Sequence, residues 1–354
     1  MEDPLQTTRQ GGVPRPGLSR PGPSRPGLSR PGLWTEWHAE ETPLRLGVSS
    51  CLLGQEVRYD GGHARDRFVT DVLATWLEFV PVCPEAEMGL GVPRPTIRLE
   101  RHGEAVRLVE PRSGEDLTER MEAFAARRVA ALREEDLDGY VLKKNSPSCG
   151  LERLKIHTNG QSEKNGRGLF AKALVEGWPG LPVEEEGRLN DPHLRENFIE
   201  RVFARNRWRA LVRGGLSRGR LVEFHTAHKL LLRSHQEEGY RELGRLVGSA
   251  GNLDDAELFR RYEEGFQALL AVRAKRAAHV NVLQHAMGYL KTLLDSREKA
   301  LILSSIDDFR AGLVPLVVPL SLLRFNIAKH DVEYLRGQLY FDPHPKELCL
   351  RNHC

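Results

Sequence analysis

The chain has 354 residues, 40% of them hydrophobic, and 52 Lys plus Arg against 49 Asp plus Glu, a formal charge of +3. That length exceeds what one hydrophobic core usually supports, so two domains with additions are expected. No apolar run reaches the eighteen residues of a membrane span and the N-terminus lacks the apolar region of a signal peptide, so the chain reads as soluble and cytoplasmic, with no obligate protein partner evident.

Residues 1–43 carry "RPGLSRPGPSRPGLSRPGLW", an Arg-Pro-Gly-x-Ser repeat that cannot bury a core and is expected to stay disordered. From Leu44 to Leu189, strand and helix signals alternate. "LRLGVSSC" reads as a short apolar strand, and "RFVTDVLATWLEF" spaces Phe68, Val69, Val72, Leu73, Trp76 and Leu77 as a helix. "FVPVCPE" is a second strand, and "TIRLERHGEAVRLVE" alternates about His102-Gly103 as a hairpin. "DLTERMEAFAARRVAAL" puts Leu117, Met121, Phe124, Val129 and Leu132 on one helical face before the strand "GYVLKK". This alternation predicts an α/β domain over 44–189, built on a largely parallel, Rossmann-like sheet.

Residues 190–354 read as an all-α domain. "NDPHLRENFIERVFARNRWRALV" opens with Asp191 as N-cap and Pro192 at the first helical position. "GRLVEFHTAHKLLLRSHQEEGYRELGRLV" and "LFRRYEEGFQALLAVRAKRAAHVNVLQHAMGYLKTLL" continue the helical period, broken further on by Pro315 and Pro319. From Asp191 onward there are 26 Lys plus Arg against 20 Asp plus Glu. Between Arg195 and Arg233 the count is ten basic to three acidic, which points to contact with a polyanion.

Five cysteines in a chain this long argue against a disulfide framework. Cys51, Cys83 and Cys149 each stand past the end of a different predicted strand, where open α/β sheets gather ligands. Each has small or rigid neighbours: Ser49-Ser50, Pro84 and Gly150. Three thiolates without a fourth suggest an iron–sulfur cluster with one iron open as a Lewis acid. On spacing alone, separately buried thiols or a cysteine nucleophile remain open, because no close C-x-x-C pair is present among them. Cys349 and Cys354, in "KELCLRNHC", read as bystanders.

"GVSSCLLGQEVRYDGG", "FVPVCPEAEMGLGVPRP" and "VLKKNSPSCG" together resemble, in order and separation, the motif set of the thiouracil desulfidase (TudS) family. The resemblance implies that Cys51, Cys83 and Cys149 hold a 4Fe-4S cluster whose fourth iron takes the sulfur of a thiocarbonyl. It also implies roles for Glu85 as general base and proton shuttle and for Ser146 as hydrogen-bond partner of the water or base. For Glu85, pairing with Arg94 or Lys143 is the structural alternative. The helical part, with "FHTAHKLLLRSH", "NVLQHAMGYLK" and "YFDPHPKELCLRN", is similar to the domain fused to TudS-like domains in the tRNA 4-thiouridine desulfidases (RudS), where it binds tRNA.

The expectation is therefore a desulfidase that converts 4-thiouridine in tRNA to uridine and sulfide without net redox change. Arg205, Arg209, Arg213, Arg220, His225, His228 and Lys229 are the expected RNA contacts. His225, His228 and His235 share a helix face, which favours phosphate bonding or internal packing over a metal site, given Lys229 and Arg233 beside them. A desulfidase of free thiobases, or an RNA-binding protein with a structural or sensing cluster, are the alternatives.

Overall fold

In the computed structural model the described residues are 43–158, 160–249, 251 and 253–354. The Arg-Pro-Gly-x-Ser repeat lies outside them. The α/β region carries two four-stranded sheets rather than one. The first is wholly parallel, in the order β2 (Glu78–Val82), β1 (Arg45–Ser49), β5 (Gly139–Leu142), β8 (Val183–Glu185). Its central strands, β1 and β5, are short and almost wholly buried between apolar clusters on the two faces, which leaves no solvated side to impose alternation.

The second sheet is mixed. The expected hairpin forms β3 (Arg98–His102) and β4 (Ala105–Val109), turning at Gly103 with φ 63°. β3 also pairs in parallel with β6 (Leu154–Thr158), which is antiparallel to β7 (Gln161–Gly166). The sequence reading contained no β6–β7 ribbon, since β7 is exposed along most of its length and has no apolar period to betray it.

Helix α1 is the single turn Pro84–Glu87. α2 (Thr118–Glu134) buries Leu117, Met121, Phe124, Val129 and Leu132, the face its period predicts. It packs on α3 (Leu169–Gly177). The stretch 68–77 is not the regular helix expected: a π-helical turn at Phe68–Val72 runs into a 3-10 turn at Leu73–Thr75. Two β-branched valines and a threonine disfavour α geometry there, and the Thr70 hydroxyl donates back to the Asp66 carbonyl (3.0 Å).

The helical region holds α4 (Pro192–Arg213), α5 (Arg218–His235), α6 (Glu237–Gly248), α7 (Asp255–Ala271), α8 (Arg276–Leu290), α9 (Ser296–Ala311), α10 (Val317–Lys329) and the turn α11 (Glu333–Arg336). Asp191 caps α4 by accepting from the His193 and Leu194 amides. Extended Gln236 separates α5 from α6, a break that the continuous period did not reveal. Pro315 precedes α10, whereas Pro319 sits inside its first turn, where a missing N–H costs nothing.

α4 is shared by two cores. Its first half, with Phe198, Ile199, Val202 and Phe203, packs with Leu46, Val48 and Val141 of the parallel sheet, together with Leu348 and Leu350 from near the C-terminus. Its second half, with Ala204, Trp208 and Leu211, joins the all-helical core.

Candidate functional site

The loops after β1, β2 and β5 meet at one cleft of about 410 Å³, and Cys51, Cys83 and Cys149 all line it. Cys51 sits in a 3-10 turn (Ser50–Leu53) that closes on Gly54 at φ 88°, a left-handed position suited to glycine. Cys83 is the N-cap of α1, and its amide donates to the Glu87 carboxylate (2.9 Å). Cys149 ends the Ser-Pro-Ser turn, where the Ser146 hydroxyl accepts from the Ser148 and Cys149 amides (3.2 and 3.1 Å). A Cβ at Gly168 would collide with the Ser148 carbonyl, so glycine there lets α3 abut this turn.

All three thiols are free. Burial pushes Cys51 up to about 11, with Cys83 adding to the shift, and burial also raises Cys83 and, well above its ordinary value, Cys149. The bare chain therefore keeps them protonated at neutral pH, and a metal group binding there must release those protons.

Glu85 lies between these loops and is fixed on both oxygens. Arg94 donates two bonds to Oε2 (2.6 and 3.0 Å), and the hydroxyls of Ser146 and Ser148 donate to Oε1 (3.2 and 2.9 Å). Of the two pairings considered for Glu85, Arg94 is the one formed; Lys143 pairs instead with Glu186 (2.6 Å). Arg94 is itself buried and donates to the carbonyls of Val57 and Gly91 (2.9 and 3.0 Å). Sequence reasoning raised Arg94 as a partner for Glu85 and missed Ser148, which sits in a Ser-Pro-Ser turn and gives no separate signal.

The donor set fits a polynuclear group better than an ion. Among the described residues no three His, Cys, Asp or Glu side chains close on a single metal, yet three cysteines from three strand ends face one cleft. Thiolates that each need their own metal corner are the ligands of iron–sulfur clusters.

The expected RNA contacts do not form a surface. Arg205 is buried and donates to the Leu137 carbonyl (3.1 Å), and Arg209 pairs with the buried Asp138 (2.6 Å). Arg213 pairs with Asp136, and Arg220 holds the carbonyls of Gly214 and Gly215. His225 is buried, stacks on Tyr240 and bonds the Tyr262 hydroxyl (3.1 Å). His228 is wholly buried: its Nε2 accepts from Arg207 (3.2 Å), so its Nδ1–H donates to the Phe224 carbonyl (2.7 Å). Burial and Arg207 hold it neutral, well below the usual histidine range. His235 bonds Glu200 (2.6 Å), so this face packs internally rather than meeting phosphate. Lys229 is half-buried on α5. Arg205, Arg209, His225 and His228 are thus engaged inside the protein, whereas Arg213 is exposed and Arg220 and Lys229 are half-buried.

No helix among the described residues is long and apolar enough to cross a membrane. Residues 46–186 match the family described as 2-thiouracil desulfurase, and residues 229–345 match a family described as a protein of unknown function, DUF1722. The chain is 32% identical over 167 residues to the uncharacterized protein YbgA of Escherichia coli (strain K12), covering 46% of this chain and 98% of that protein. It is 36% identical over 149 residues to the uncharacterized protein YbbK of Bacillus subtilis (strain 168), covering 41% and 97%. Among solved structures, the 4Fe-4S-dependent thiouracil desulfidase TudS is 31% identical, matched over 42% of this chain and 94% of that one with a TM-score of 0.34. The chain belongs to the 2-thiouracil desulfurase family, with a DUF1722 region following the desulfurase domain.

Proposed function

We propose that the chain is an enzyme that replaces the sulfur of a thiolated uracil ring by oxygen, and that its substrate is 4-thiouridine in tRNA. Water enters and hydrogen sulfide leaves, so C=S becomes C=O with no net oxidation or reduction. The observation that carries this reading is the convergence of Cys51, Cys83 and Cys149 on one cleft with Glu85 held between their loops. The desulfurase family match and the 4Fe-4S dependence in the name of the TudS relative support it.

Cys51, Cys83 and Cys149 would hold a 4Fe-4S cluster. When bound, the cluster supplies a Lewis-acidic iron toward the thiocarbonyl sulfur. The chain's own residues handle the water. Oε1 of Glu85, the oxygen that Arg94 leaves to the two serine hydroxyls, takes a proton from the attacking water, and Ser146 and Ser148, which donate to that oxygen, hold it in place. Arg94 on Oε2 fixes the carboxylate plane, so the accepting oxygen has one direction. The bond from Arg94 to the Val57 carbonyl anchors that arginine to the loop after β1.

Free thiouracil as substrate is the second reading, because every residue named here lies within residues 46–186. The test is anaerobic reconstitution of the full chain, iron analysis and loss of the near-ultraviolet band of thiolated tRNA and of thiouracil. Cys149→Ala should lose iron and activity together. Glu85→Gln should keep iron while kcat falls by about 10²- to 10⁴-fold. Full turnover by Cys149→Ala without iron would overturn the reading. Turnover of thiouracil with none of tRNA would leave the chemistry and remove the tRNA substrate.

A further inference from the structure

We propose that the phosphodiester backbone of an RNA substrate lies in a basic groove beside the thiol cleft, on the outer face of β3, β6 and β7, with Lys155 and Lys164 at its centre. This rests on the tRNA reading above and adds a place for the polyanion on the desulfurase domain, beside the thiol cleft.

The groove measures about 870 Å³, twice the volume of the cleft. Ile97, Lys144, Asn145 and Pro147 line both, so the two spaces are continuous. A chain whose thiolated base enters the cleft thus has its backbone delivered past this face.

The register of the ribbon is the second observation. Lys155 on β6 stands directly opposite Lys164 on antiparallel β7. Leu154 and Ile156 turn inward and are buried, which leaves Lys155 outward and exposed. Leu99 pairs with Ile156, so Arg98 and Lys155 lie one step back along the same parallel ladder. Like charges opposed on a sheet destabilise it. No carboxylate lies within ion-pair distance of Lys144, Arg153, Lys155 or Lys164 among the described residues. The two acids of the groove are occupied: Glu152 pairs with Arg188 (2.8 Å), and Glu185 accepts from the Leu151 amide (2.7 Å).

Backbone conformation adds a third. Asn145 and Arg153, both on the groove, adopt left-handed conformations at φ 59° and 57°. Non-glycine residues held there carry a cost that surrounding structure must impose, and such positions gather at functional sites. Ordinary solvated lysines account for exposure. They do not account for two that face each other on a fixed register, without an acid, at the mouth of a site. A polyanion supplies the missing counter-charge, and an uncharged thiobase does not.

The test uses the full chain and labelled, unthiolated tRNA, so that binding is read apart from chemistry. Lys155→Gln combined with Lys164→Gln should weaken binding about 10-fold at 100 mM salt. It should also flatten the log K against log salt plot by about 1 to 2, the value of one or two released counter-ions. Relief of the opposed charges should leave the melting temperature unchanged or slightly raised, which separates lost contact from lost fold. Uridine monophosphate should not compete at millimolar concentration. Competition by the mononucleotide would overturn a backbone groove in favour of a single phosphate pocket. Salt-dependent tRNA binding that the double variant leaves intact would overturn the groove alone and keep the tRNA reading. A wild-type chain that ignores tRNA but consumes thiouracil would overturn the tRNA reading itself.

Discussion

Two basic stretches of this chain look alike on paper and differ in space. On α4, Arg205, Arg207 and Arg209 point into the protein and end on the Leu137 carbonyl, the Pro343 carbonyl and Asp138. On β6 and β7, Lys155 and Lys164 are exposed and opposed, with no ion pair among the described residues. The first set is structural because a guanidinium can satisfy several buried acceptors at once with its planar fork of donors. The second is open because an ammonium on a strand's outer face has only solvent to meet. Excess charge within a window of sequence therefore locates cations along the chain but not on the surface.

The contrast is tested most severely at Asp138, which is wholly buried and accepts from the Arg45 amide, Asn206 and Arg209. Asp138→Ala removes the nearer of the two carboxylates that face Arg209, leaving Asp136 at 3.5 Å, and strips acceptors from the Arg45 amide and Asn206, and should cost about 3 kcal/mol in urea unfolding. A cost below about 1 kcal/mol would mean that Arg209 reaches solvent and that the α4 cations are less internal than drawn.

An intermediate effect is expected from pH. Burial pushes Glu196 up to about 7, above its unfolded value near 4.5, so its contribution to stability is full below pH 4.5 and is lost as pH rises through 7. Burial also opposes the charge of Glu200, but the His235 hydrogen bond and Arg351 outweigh it and hold that carboxylate at about 2. Its contribution is present above pH 4.5 and lost as pH falls toward 2. Glu196→Gln should therefore flatten the decline between pH 4.5 and 7, which amounts to at most about 1.4 kcal/mol per pH unit for one proton. Parallel pH profiles for the variant and the wild type would refute the assignment.

The smallest effect belongs to the groove. Lys155→Gln alone should change the free energy of unfolding by no more than about 0.5 kcal/mol, in the stabilising direction, because it relieves a cross-strand repulsion. A loss beyond 1 kcal/mol, read by the same urea titration, would show that Lys155 supports the sheet.

What could be read from sequence was local. The buried face of α2, the hairpin at His102-Gly103 and the Asp191 cap each depend on residues within one element. The position of the three cysteines past strand ends was also readable, since strand and turn signals flank each of them. The β6–β7 ribbon was not, because β7 is exposed along most of its length and carries no apolar alternation to mark it as a strand. The inward aim of α4 was hidden for a related reason: a helix enclosed on most sides has no polar face for periodicity to find. The choice between Arg94 and Lys143 as the partner of Glu85 was not readable either, because only the fold decides which cation reaches it.

The placement of Leu348 and Leu350 bears on how the molecule is made. They fill the same apolar cluster as Leu44, Leu46 and Val48, against which Cys51 packs, about 300 residues earlier. Synthesis runs from the N-terminal side, so the wall behind the first thiol is complete only once residue 350 has been made and packed, and a metal group meets a fully formed cleft only after that point.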